Sequence, residues 1–214
     1  MKPTIAAAVM AKLPTPGAAK TRLVPALGAE GAARLAAALL ADALAALRGA
    51  RAVAPAFAVA GDMAAAARLA PGIAVLPQRG EDLSARMLNA AADLLGQGHD
   101  GVLLFGADTL GLAPADLDHA AALLAAPGDR LVLGPSADGG YWLVGMRRAT
   151  GALFDGMAWS HRRVLADQLG VCARLGLPAS FAATRTDCDA PEDLPAAARL
   201  GGPATRAWLA AQLR

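Results

Sequence analysis

Two lysines, an arginine and four aspartates stand where polar side chains can do chemistry in this sequence. Lys12, Lys20 and Arg22 belong to "KLPTPGAAKTRLVPALG", a connection that also contains Pro14, Pro16 and Gly17. Three cations on one loop suit a polyphosphate, with Pro16-Gly17 setting the turn. The same composition also suits a solvated basic turn. The Lys20-Thr21 pair does not complete a P-loop, because Ala18 and Ala19 precede the lysine where that loop needs glycine to wrap phosphates in backbone amides. Asp108, in "FGADTLGL", follows an apolar run and a glycine. A carboxylate there suits a hard cation such as Mg2+, which takes oxygen ligands and shares its shell with substrate phosphates; it equally suits a turn cap. In "SADGGYW", Gly139 and Gly140 beside Asp138 fit either close approach of backbone to a ligand or a tight turn between strands. Asp187 and Asp189 flank Cys188 in "DCDAPED", and this extended segment is expected to give at most one of them to a given metal site.

The elements that must position these residues are short apolar runs alternating with helical patterns. Strands are expected at 4–11, 52–61, 73–77, 101–107, 130–135 and 141–146, with another apparent strand in "ASFAATRT" at 179–186. Leu35, Leu39, Leu40, Leu44 and Leu47 recur at helical spacing, as do Leu83, Met87, Leu88, Leu94 and Leu95. Several strands are apolar throughout, as strands of a parallel sheet covered on both faces are. The class is therefore α/β with three layers. Only a Gly-rich turn separates "RLVLGPSA" from "DGGYWLVG", so an antiparallel or crossing strand there makes the sheet mixed. Ligands in such sheets bind beyond the carboxyl ends of the strands, and the polar loops lie there.

The length of 214 residues suits one core and a single domain over 1–214. Hydrophobic residues make up 56% of the chain and mean hydropathy is +0.40, but alanine supplies much of both. The most apolar stretches are short or broken by Asp42 and Pro55, so no membrane span is expected. Lys12 cuts off the N-terminal apolar run, which argues against a signal peptide. A cytoplasmic protein is expected, and Cys172 and Cys188, without CxxC spacing, agree with a reducing compartment. A net charge of +2 gives no reason to expect nucleic acid. His99, His119 and His161 are scattered without metal-binding spacing, "GPSAD" ends on Asp138 where a nucleophile elbow needs glycine, and no GxGxxG follows a strand.

Taken in order, "AKLPTPGAAKTRL", "QRGEDLSARM", "GADTLGL", "GPSADGGYWLVG" and "DCDAPEDL" resemble a bacterial family of glycosyltransferase-A-like proteins in the nucleotide-diphospho-sugar transferase superfamily, related to phospholactate guanylyltransferases. The resemblance spans about residues 4 to 200. It implies a mixed sheet of about seven strands between helices, with a nucleotide over the loop of the first strand. It places Lys20 and Arg22 at the nucleotide phosphates, with Lys12 and Gly17 on the same loop, and Gln78, Arg79 and Gly80 at the base or ribose. Asp108 and Asp189 become ligands of Mg2+ or Mn2+, while Asp138, Gly139, Gly140 and Tyr141 line the acceptor side.

What the resemblance implies is a metal-dependent transferase with a nucleotide-activated donor and an unidentified small acceptor. Glycosyl transfer comes first, with Asp138 as the base. Nucleotidyl transfer from a nucleoside triphosphate is the alternative, favoured by the cationic first loop, and an inactive nucleotide-binding regulator is the third reading. Three features depart from the family pattern. Thr109-Leu110 stands where relatives carry Cys-Pro, Ala190 stands where they carry a capping threonine, and Arg162 and Arg163 occupy an expected first helical turn. Asp189 is then a candidate cap in place of Ala190, and the two arginines fit either surface variation or a nearby anionic acceptor or partner.

Overall fold

The computed structural model describes residues 4–212. Among them are seven strands in one sheet: β1 (Ile5–Lys12), β2 (Val53–Ala60), β3 (Ala74–Pro77), β4 (Gly101–Gly106), β5 (Leu131–Pro135), β6 (Tyr141–Met146) and β7 (Ala179–Phe181). Their spatial order is β3-β2-β1-β4-β6-β5-β7. β6 runs antiparallel to both β4 and β5, and the other pairings are parallel. The mixed sheet expected from the Gly-rich turn is thus present. Because β6 is reversed, its first residue, Tyr141, lies at the sheet edge where β1 and β4 end. That reversal brings the Asp138–Tyr141 turn to the same edge as the loops after β1 and β4.

Alternation along β1 sorts the core into two layers. Ile5, Ala7 and Val9 face one layer with Leu40, Leu44 and Leu47 of α1 (Val24–Gly49) and Leu117 and Leu124 of α4 (Pro114–Ala125). Ala6 and Ala8 face the other with Met87, Ala90 and Leu94 of α3 (Leu83–Gly96) and Cys172 of α5 (Val164–Leu175). α2 (Met63–Leu69) adds Ala66 to the first layer. A strand buried on both faces needs apolar residues at every position, which is why β1 carries no polar alternation. A third cluster packs Leu23, Leu35, Leu39, Leu110 and Cys188 against Ala197 of α6 (Leu194–Leu200) and Leu209 of α7 (Pro203–Gln212). Asp42 of α1 completes this joint by accepting the Ala204 and Thr205 amides at the start of α7, each at 2.9 Å.

Two expectations require correction. By length and composition alone, the 29 residues Thr21–Gly49 are long and apolar enough to cross a membrane, Asp42 notwithstanding. Gly28, with φ 69°, interrupts the run, and its Leu40, Leu44 and Leu47 face the sheet. The apparent strand at 179–186 pairs regularly only over Ala179–Phe181. Beyond it the chain makes isolated bridges, Ser136 with Arg185 and Thr109 with Asp187, because it leaves β5 and crosses to the loop after β4.

Candidate functional site

The loop after β1 is built to present Lys20. The Thr15 carbonyl accepts from Ala18 and Ala19, both at 3.1 Å, and Gly17 supplies the turn at φ 74°. Lys20 itself adopts a left-handed conformation, φ 48° and ψ 47°, before the 3-10 turn Thr21–Leu23. That backbone state is costly for a residue with a Cβ, and burial of Leu23 in the third cluster anchors the turn that imposes it. The Lys20 side chain is only 13% exposed. Its Nζ donates to Asp108 Oδ2 at 2.9 Å and Asp189 Oδ1 at 2.5 Å.

The carboxylates reach Lys20 because the crossing segment zips onto the loop after β4. Leu110 N donates to Thr186 O at 2.8 Å and Cys188 N donates to Asp108 O at 3.0 Å. Cys188 turns into the core, fully buried, so Asp187 and Asp189 both turn outward. Residues two apart in an extended chain share a face, yet only Asp189 of the two reaches Lys20 beside Asp108. Asp187 lies on the far side of Asp108, accepting Ser136 Oγ–H at 2.6 Å. Nor does Asp189 cap the following turn. Asp193 reaches back to accept the Asp189 and Ala190 amides, both at 2.8 Å, which leaves the Asp189 carboxylate to Lys20 and compensates for Ala190.

Two cavities meet at Asp108. The first, about 400 Å³, lies above the β1 loop and is lined by Lys12, Lys20, Arg22, Asp108, Ser160 and Asp189 among others. The second, about 310 Å³, shares Met10, Asp108 and Ser160 with it and continues to Asp138, Tyr141, Trp159 and Asp187. A recess containing Arg22, Asp138, Ser160, Arg162 and Asp189 joins them from outside. Ser160 has φ 65°. Lys20 and Ser160 are the two non-glycine residues with positive φ among the described residues, and both lie where the cavities meet.

Electrostatics separate the two sides. Burial works to lower the Lys20 pKa, but Asp108 and Asp189 outweigh it and hold the ammonium well above its ordinary value. Burial likewise opposes ionisation of Asp108, and Lys20 overcomes it, keeping that carboxyl below its usual range. Asp187 has no such partner. Burial, reinforced by the charge on Asp108, pushes it up to about 6 against the opposing Ser136 hydrogen bond.

Other sequence-predicted residues fall into two groups. Lys12 and Arg22 line the first cavity, and Asp138, Gly140 and Tyr141 line the second. Gly139, at φ 93°, passes so close to the Arg162 carbonyl that a Cβ would collide with it, which fixes this turn against the segment before α5. By contrast, Gln78, Arg79 and Gly80 line neither cavity. Gln78 Nε2 donates to Ala11 O at 3.2 Å and Ala58 O at 2.9 Å, tying the ends of β1 and β2. Arg79 pairs with Asp93 at 2.6 Å on α3, and Gly80, at φ 126°, leaves room for Ala85. Arg162 and Arg163 precede α5 instead of entering its first turn, because that helix begins at Val164. The sequence reading passed over Ser136, Trp159 and Ser160 and left Asp187 out of its metal pair; the i, i+2 spacing with Asp189 was the signal available for Asp187.

The donor set fits a hard divalent cation. Asp108 and Asp189 already converge on one cationic group, the Lys20 ammonium. Among the described residues no three acidic, histidine or cysteine side chains form a complete metal cage. Two carboxylates with the rest of the shell left to water and phosphate oxygens is the arrangement Mg2+ favours.

The fold is shared with transferases. A provisionally named nucleotide-diphospho-sugar transferase from Desulfovibrio desulfuricans G20 is 26% identical, with a TM-score of 0.82 over 97% of this chain and 94% of its own. A cytidylyltransferase from Leptospira borgpetersenii is 14% identical, with a TM-score of 0.61 over 98% and 93%. Glucosyl-3-phosphoglycerate synthase from Mycobacterium tuberculosis, solved with Mn2+ and UDP, is 14% identical, with a TM-score of 0.56 over 99% and 79%. No curated protein matches the chain. The sheet, its order and these similarities place the fold among nucleotide-diphospho-sugar transferase structures. By its residues 39–161 the chain belongs to the family described as "Uncharacterized protein conserved in bacteria (DUF2064)".

Proposed function

We propose that the protein is a glycosyltransferase that moves a sugar from a nucleotide diphosphate to an acceptor hydroxyl, within one domain that carries both subsites. The observation that carries this reading is the meeting of two unlike cavities at Asp108, one cationic and one acidic and aromatic. Lys20 and Arg22 bind the donor diphosphate, and Lys12 stands at its rim. Asp108 and Asp189 hold Mg2+ or Mn2+, which when bound neutralises charge on the diphosphate and its leaving oxygen. A cation there would compete with the Lys20 ammonium for Asp108 and Asp189.

Asp138 is the base. Its Oδ1 is held by the Gly140 amide at 2.9 Å, leaving Oδ2 to take the acceptor proton. The acceptor oxygen then bonds to the sugar's anomeric carbon as the bond from that carbon to the diphosphate oxygen breaks, and the nucleoside diphosphate leaves with the electron pair. Asp187 is less suited, since one oxygen accepts from Ser136 and the other is buried. Positioning and electrostatics carry the rate, without a covalent intermediate.

A second reading, nucleotidyl transfer from a nucleoside triphosphate, draws on the number of cations around the first cavity and the adjoining Arg162. A thermal-shift panel of nucleoside triphosphates and nucleotide sugars, with and without Mg2+ or Mn2+, separates the readings. Metal-dependent stabilisation by diphospho-sugars, with release of nucleoside diphosphate on turnover, supports glycosyl transfer. Stabilisation by triphosphates with release of pyrophosphate replaces it with the second reading. Binding without metal dependence or turnover points to a regulator, and absence of any nucleotide effect removes the donor site altogether.

A further inference from the structure

The second cavity is distinguished by what faces it. Met87, Tyr141 and Trp159 give it apolar walls, its acidic groups are Asp108, Asp138 and Asp187, and among the described residues neither lysine nor arginine lines it. The aromatic wall is fixed in place. The Tyr141 and Trp159 rings meet edge to face, with centroids 6.0 Å apart at 80°. Trp159 Nε1 donates to Ser84 Oγ at 3.0 Å, and the Tyr141 hydroxyl donates to Gln168 Oε1 at 3.1 Å. Gln168 is itself buried and donates to the Leu153 carbonyl at 2.8 Å. With both polar tips engaged by the protein, these side chains offer a ligand mainly ring surface.

At the mouth stands His161, whose Nε2 lies 3.7 Å from Asp167 Oδ2. Its Nδ1 accepts the Arg163 amide at 3.2 Å, and its Nε2 lies 3.1 Å from the Ala158 carbonyl. Lys20 and Arg22 line the donor side, and Arg162 joins Arg22 in the outer recess that reaches Asp138. An anionic group inside the second cavity would meet Asp138 and Asp187 with no lysine or arginine among the described residues that line it, and in partly desolvated surroundings that repulsion is large.

Resting on the transferase reading above, we infer that this cavity receives the acceptor, and that the acceptor is an uncharged, hydroxylated molecule with a flat apolar or ring face, not a phosphorylated or carboxylated one. The ring lies against Tyr141 and Trp159, and the reacting hydroxyl points toward Asp138 at the junction with the donor cavity. The volume of about 310 Å³ sits at the small end for ligand sites, so one ring system fills it.

The test is calorimetric titration of the full chain with phenyl β-glucoside and with its 6-phosphate, at fixed Mg2+. The uncharged probe should bind saturably, and its phosphate at least about tenfold more weakly. Trp159→Leu should weaken the uncharged probe by about tenfold through loss of the ring face. Asp138→Lys, at an exposed position, should shrink or invert the preference against phosphate. Equal or tighter binding of the phosphate overturns the inference, as does failure of the uncharged probe to saturate or indifference of both variants. A thermal-shift series with nucleotides runs in parallel. Nucleotide stabilisation without glucoside binding overturns the acceptor inference alone, whereas glucoside binding without nucleotide stabilisation overturns the donor reading alone.

Discussion

The two cavities share Asp108 yet treat charge in opposite ways. On the β1 side, Lys20 sits between Asp108 and Asp189; the two carboxylates keep its ammonium charged, and Lys20 in turn keeps Asp108 ionised. On the β6 side, Asp187 and Asp138 face a chamber of rings and aliphatic chains with no lysine or arginine among its described lining residues, and Asp187 is pushed toward its neutral form. A single carboxylate therefore divides a balanced electrostatic cluster from an unbalanced one. The balanced side can exchange its ammonium for another cation, whereas the unbalanced side disfavours anions. In the proposed transfer, that difference would separate a charged donor on one side from an uncharged acceptor on the other.

The largest effects should come from breaking the shared wall. Asp108→Ala should abolish metal-dependent stabilisation by nucleotides and lower kcat/KM by about a thousandfold, the scale of losing a principal electrostatic contact. Lys20→Met sharpens the comparison further, because its two consequences have opposite sign. Without the competing ammonium, Mn2+ alone should bind several-fold more tightly, as titration calorimetry would read. Turnover should meanwhile fall by about a hundredfold or more as the leaving diphosphate loses its lysine. If Mn2+ binding weakens along with turnover, Lys20 is not occupying the cation position and the balanced half of the comparison is wrong.

Asp138→Asn tests the other half. If Asp138 takes the acceptor proton, kcat should drop by about a hundredfold or more while the nucleotide thermal shift is retained. A loss of donor binding instead would mean that the two cavities do not divide the substrates as described. Smaller again is the effect of Gln78→Leu, which deprives the Ala11 and Ala58 carbonyls of their donor. It should cost about 1 kcal/mol in urea unfolding and leave nucleotide affinity nearly unchanged. A large affinity loss at constant stability would restore Gln78 to the donor site.

What was legible in the sequence follows from the range of the interactions. The sheet could be read because burial on both faces leaves an apolar run, and the polar strand ends because they interrupt it. The turn Asp138–Tyr141 was visible in its two glycines. Lys20 stood out by its neighbours, but its partners are 88 and 169 residues away, and local pattern carries no record of such a pairing. Gln78 fails for the opposite reason: its polar side chain at a strand end looks like a ligand contact and is spent on backbone carbonyls. Ser160 offers no signal at all, since its positive φ is imposed by the path from Trp159 to α5. Asp187 was recoverable, because its spacing from Asp189 already put both on one face.

A further effect, on stability alone, concerns Asp187, and its sign is definite. A carboxyl whose pKa is about 6 in the folded protein and about 3.9 when unfolded binds its proton more tightly in the folded state. Between those values the folded chain holds a proton that the unfolded chain has released, so stability falls as pH rises through the window and the full penalty stands above pH 6. Asp187→Asn removes that penalty. Relative to the native sequence, the variant should gain roughly 1–2 kcal/mol between pH 4 and pH 7.5, allowing for partial exposure, as measured by urea unfolding at both pH values without metal. Asp62 and Asp100, whose pKa values are lowered by their hydrogen bonds to backbone amides, push stability the other way, but they are common to both proteins and cancel in the difference. A difference that stays constant across this range would mean that Asp187 feels neither its burial nor Asp108. The chamber behind Asp108 would then be no less balanced than the one in front.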